Sequence, residues 1–78
     1  MSEIKQISEA KQVEKEFILN LVNLRKKQKI TQKELAKKTG LTQQVISNIE
    51  KIDRRPTTIN LIRYLLGLGI NINKLFED

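Results

Sequence analysis

Residues 31–51 read TQKELAKKTGLTQQVISNIEK, two helix starts separated by one stop. Thr31-Gln32-Lys33-Glu34 has the pattern of a capping box. The Thr hydroxyl accepts from the Glu34 amide while the Glu carboxylate reaches back to the Thr31 amide. Ile30 and Leu35 flank that start as a hydrophobic staple. Gly40 supplies a left-handed stop. Leu41-Thr42 then repeats the start, with Thr42 as cap and Leu41 stapled to Ile46. The spacing predicts two short helices joined by a tight turn over Thr39-Gly40-Leu41-Thr42.

Outward from this pair the helical period continues. Phe17, Leu21 and Leu24, flanked by Val13, Ile18 and Val22, repeat at three and four residues. They predict a first helix over about residues 12–28, with Ser8 as an alternative start. Pro56-Thr57 opens a fourth helix through Leu61, Leu65 and Leu68. Ile70-Asn71 opens a short fifth. No sustained alternation of apolar and polar residues signals a strand. The fold class expected is all-α.

Composition narrows the function. The chain has 78 residues, fifteen Lys+Arg, nine Asp+Glu, no Cys and no His. That length suits one small domain, which buries about 60 % of the surface its unfolded chain exposes. Without Cys there is no disulfide, and without Cys or His no zinc or haem site is expected, so we expect neither metal nor cofactor. The commonest acid–base side chain and the thiol nucleophile are both missing, so an enzyme is not expected. No apolar run approaches a membrane span or a secretory leader, and lack of cysteine fits a cytoplasmic location. Net charge is +6, which points to an anionic partner. Residues 17–63 concentrate it, with eleven basic against three acidic groups, while both ends are slightly acidic.

The segment after Thr42 carries the most specific signal. On a helical wheel, Gln43, Gln44, Ser47, Asn48 and Lys51 share one arc of about 140°. Val45, Ile46, Ile49 and Ile52 occupy an arc of about 120° opposite, with Glu50 at the seam. Solvated helix faces favour Lys and Glu, but this one is built of amides and a hydroxyl. An amide presents donor and acceptor together, as reading an adenine edge in the major groove requires.

Here the sequence resembles the helix-turn-helix domains of phage repressors, Cro proteins and their bacterial relatives, the Xre family. The matching residues are Gln32, Leu35-Ala36, Gly40, Leu41, Ile46 and Ile49. Leu21, Leu24-Arg25 and Ile30-Thr31-Gln32 match the family's first helix and the start of its second. Pro56 to Leu61, Leu68-Gly69-Ile70 and Leu75-Phe76 match its last two helices. The resemblance implies a five-helix, lambda-repressor-like domain over residues 17–78, with the helix-turn-helix at helices two and three. Residues 1–16 are then an N-terminal extension or the start of the first helix.

The resemblance also implies roles. Gln43, Gln44, Ser47 and Asn48 would contact base edges, and Gln32 a backbone phosphate at a helix N-terminus. Thr42, Lys51, Arg54 and Arg55 would lie along the sugar-phosphate backbone. Arg25 and Glu50 would form a structural salt bridge between helices one and three. The family commonly ends its recognition helix with a Gly at the position of Ile52. Ile resists positive φ, so the helix is expected to run about a turn longer here. The implied partners are double-stranded DNA and a second copy of the chain, with Ile70, Ile72, Leu75 and Phe76 as the expected dimer surface. The function expected is that of a transcriptional regulator, a repressor at an inverted-repeat operator. The alternative is an antitoxin that binds its own promoter through the same domain and a toxin through another surface. A membrane or RNA binder is disfavoured, because Phe17, Tyr64 and Phe76 all sit on apolar faces.

Overall fold

No Gly or Pro interrupts residues 3–27, and strong helix formers fill them. They run as one 25-residue helix, α1 (Glu3–Lys27). The structure, a computed structural model, describes residues 3–77. Three shorter helices follow: α2 (Gln32–Thr39), α3 (Gln43–Ile49) and α4 (Thr58–Gly67). A 3-10 helix over Ile72–Phe76 closes the chain. No strand occurs among the described residues.

Three expectations change. α1 begins well before Ser8, although residues 3–13 are all exposed and show no buried face. Propensity and local pairs sustain it there, such as the Gln12 Nε2 donation to Glu16 Oε1 at 3.0 Å. The fifth helix is a 3-10 turn rather than an α-helix, capped by the Asn71 side chain on the Asn73 amide. α3 is not longer: it stops at Ile49, with Glu50 as a right-handed C-cap. The chain leaves through turns closed by Lys51 N–H on Asn48 C=O (3.1 Å) and Arg54 N–H on Lys51 C=O (3.2 Å). Neither requires positive φ at Ile52.

The caps fix the short elements. Thr31 and Glu34 form the reciprocal capping box. Gly40 takes φ 73° and donates its N–H to Ala36 C=O. Thr42 and Thr57 cap α3 and α4 by accepting from the Val45 and Asn60 amides. α2 packs against both α3 and α4. The core gathers Ile18 and Leu21 from α1, Leu35 and Ala36 from α2, Ile46 and Ile49 from α3, and Tyr64 and Leu65 from α4. Leu41, just before α3, and Leu68, just after α4, complete it. Burying each large side chain contributes about 1.5–3 kcal/mol.

Candidate nucleic-acid interface

α3 divides as its sequence dictates. Ile46 and Ile49 are buried, while Gln43 and Gln44 are exposed and Ser47 and Asn48 half-buried. The four polar side chains therefore share the solvent side of a helix about 10 Å long. Gln44 Nε2 donates to Asn48 Oδ1 at 3.1 Å, tying two of them together across one turn. Thr42 is exposed at the N-terminus of α3, its hydroxyl oxygen occupied by the Val45 amide and its O–H still able to donate.

The C-terminal end of α3 is held by a buried polar cluster. Glu50 Oε2 accepts from Arg25 Nε at 2.6 Å and from Tyr64 O–H at 2.6 Å. Glu50 Oε1 accepts from Arg25 Nη2 at 3.0 Å and from Gln32 Nε2 at 2.9 Å. The Arg25 Nη1 donates to Ile30 C=O at 2.9 Å, in the turn that leads into α2. The Arg25 and Glu50 side chains are 9 % and 7 % exposed, so this ion pair is desolvated. Burial drives the Glu50 carboxyl upward, but the hydrogen bonds from Arg25, Tyr64 and Gln32 outweigh it and hold the group below its ordinary 4.5. Its hydrogen bond to Glu50 raises the Arg25 guanidinium further. Burial, then Glu50, pushes the Tyr64 hydroxyl well above its usual range, so it remains a donor. One carboxylate thus joins α1, α2 and α4 to the end of α3.

The structure spreads the other residues of the expected site. Gln32, at the first position of α2, is half-buried and spends one N–H on Glu50, leaving its oxygen and second N–H. Lys51 and Arg54 are exposed in the turn after α3, without a carboxylate partner among the described residues. Arg55 is exposed but engaged: its Nε and Nη2 donate to the two Glu14 carboxylate oxygens at 2.7 and 3.1 Å. That pair fastens the loop after α3 to α1.

Sequence reasoning missed Tyr64 and Glu14 as members of these clusters. Both leave a trace. A tyrosine on an apolar helix face requires a partner for its hydroxyl when buried. Glu14 lies on the stripe of Ile18, Leu21 and Arg25 at helical spacing, a carboxylate in line with core positions. Arg63, whose Nη2 donates to Thr39 C=O at 2.7 Å and so satisfies the end of α2, gives no comparable sign.

The sequence profile of the family described as Helix-turn-helix, HTH_3, matches residues 21–75. An uncharacterized HTH-type transcriptional regulator, y4dJ, of Sinorhizobium fredii (strain NBRC 101917 / NGR234) is 35 % identical over 52 residues, covering 67 % of this chain and 68 % of that protein. No solved structure matches significantly.

Proposed function

The chain belongs to the helix-turn-helix family, and from that premise we propose that it regulates transcription by binding double-stranded DNA with α3 in the major groove. The observation that carries this reading is the solvent face of α3, where Gln43, Gln44, Ser47 and Asn48 replace the charges of an ordinary surface helix. These four side chains would read base edges. Thr42, Lys51 and Arg54 would hold the backbone, with Gln32 through its second N–H and Arg55 beside its bond to Glu14. Residues 17–78 are the DNA-binding unit in this reading, and the preceding residues an extension of α1.

Seven residues of helix span about three base pairs, too few for useful specificity. Two copies on an inverted repeat, with half-site centres about 10 bp apart, supply the rest. The surface for the second copy is the cleft between α1 and the C-terminal turn. It is lined by Phe17, Leu24, Ile70, Ile72 and Leu75, beside a Phe76 that is 81 % exposed. Bound across a promoter in the cytoplasm, such a dimer acts as a repressor. A second reading, an antitoxin, draws on the exposed Ile4, Ile7 and Val13 of α1 as a surface for a toxin. A short toxin frame beside the gene would favour it.

Selection of bound sites from random duplex DNA tests the main reading. We expect a palindromic consensus. Gln44→Ala should then weaken binding to the selected site by about 5-fold to 150-fold, the worth of one bidentate base contact. Its binding to random duplex should be nearly unchanged. Equal losses on both duplexes would contradict the readout role, and the absence of any consensus would overturn the reading.

A further inference from the structure

On the exposed face of α3, one hydrogen bond sets what two side chains still have to offer. Gln44 Nε2 donates to Asn48 Oδ1 at 3.1 Å. A primary amide has two N–H groups and one carbonyl oxygen. Gln44 therefore keeps its oxygen and one N–H, the combination that matches adenine N6 and N7. The Asn48 oxygen is turned toward Gln44, so its NH2 group is the free end of the amide. That end matches acceptors: guanine O6 and N7, thymine O4, or adenine N7. Four residues of helix advance about 6 Å, against a base-pair rise of about 3.4 Å, so the two amides reach base pairs one or two steps apart.

We infer that Gln44 and Asn48 read two neighbouring base pairs as one coupled unit, Gln44 taking adenine and Asn48 an acceptor edge. The inference rests on the DNA-binding reading above and assigns its base preferences. Gln43 and Ser47 make no side-chain bond of this kind among the described residues, so the coupling belongs to this pair. Holding the Gln44 amide at one rotamer before contact also lowers the ordering cost of the bidentate bond.

The experiment is site selection from random duplex DNA with the wild type, Asn48→Ala and Asn48→Asp, each checked for an unchanged thermal melt. Relative base preferences are read at each position, which cancels overall losses of affinity. The wild type should select adenine within two base pairs of a position that favours G, T or A over cytosine. Asn48→Ala should flatten its own position and also lower the adenine preference by about threefold to tenfold, the range of one net hydrogen bond. Asn48→Asp keeps an acceptor for Gln44. It should retain the adenine preference while turning its own position toward cytosine, whose N4 donates. A consensus in which Asn48→Ala leaves the adenine preference intact would overturn the coupling alone. An Asn48→Asp variant that keeps the wild-type base at its own position would overturn the assignment of an acceptor edge to Asn48. No consensus for the wild type would overturn both the coupling and the DNA-binding reading.

Discussion

Glu50 accepts four hydrogen bonds from three other elements, and no other described side chain joins as many parts of the fold. Removing it would leave the Arg25 guanidinium buried without a counter-charge. Glu50→Ala should therefore cost about 3–5 kcal/mol in urea melts, as breaking a buried pair does. A loss near 0.5 kcal/mol would show the cluster to be dispensable. The pH dependence follows from the direction of the shift. The folded pKa lies below the unfolded value near 4.5, so the contribution is complete above that value and lost as pH falls through the depressed folded one. Glu14 and Glu34 are lowered too, by hydrogen bonds from Arg55 and from the Thr31 backbone respectively. The wild-type minus Glu50→Gln difference isolates Glu50, and should shrink below about pH 4.5 while staying flat from about 5 to 7. At this scale the sequence was partly legible. Arg25 and Glu50 came only through the family resemblance, and the Tyr64 and Gln32 donors came from neither period nor resemblance. A donor that crosses between helices depends on tertiary geometry, which local spacing does not encode.

Among elements, the crossing of α2 and α4 is tight at Gly67. A Cβ at Gly67 would lie 2.6 Å from Thr39 Cγ2 and 2.8 Å from Leu35 Cδ1. Leu35 is fully buried and Thr39 is β-branched, so neither yields easily. Gly67→Ala should destabilise by about 1–3 kcal/mol, despite the better helix propensity of Ala, and chemical melts would measure it. A stabilised variant would mean that the crossing relaxes freely. Helix boundaries show what was readable. Thr31, Gly40, Thr42 and Thr57 mark starts and a stop because capping is local chemistry. The beginning of α1 was hidden, because its apolar residues Ile4, Ile7 and Val13 are exposed and do not continue the core-facing stripe of Ile18 and Leu21. The end of α3 was hidden for the opposite reason. It is set by what holds Glu50 and by right-handed turns after it, so the missing glycine at Ile52 did not lengthen the helix.

Across the whole molecule, charge and readout are separated. The basic excess lies in residues 17–63, yet the α3 face between its cations is almost uncharged. Lysines and arginines supply attraction to any duplex, and the amides supply preference among duplexes. The two contributions answer differently to salt. Added salt reduces the gain from counter-ion release and so weakens specific and non-specific binding alike, whereas hydrogen bonds to base edges are little screened. The direct test is a salt titration of affinity for the selected palindrome and for random duplex, from 50 to 300 mM as about the usable range. A dimer that neutralises about eight phosphates should show a slope of log K on log salt near −7 on both, with the site favoured by about 1,000-fold or more throughout. A nearly flat slope, or a palindrome bound no better than random duplex, would contradict the account.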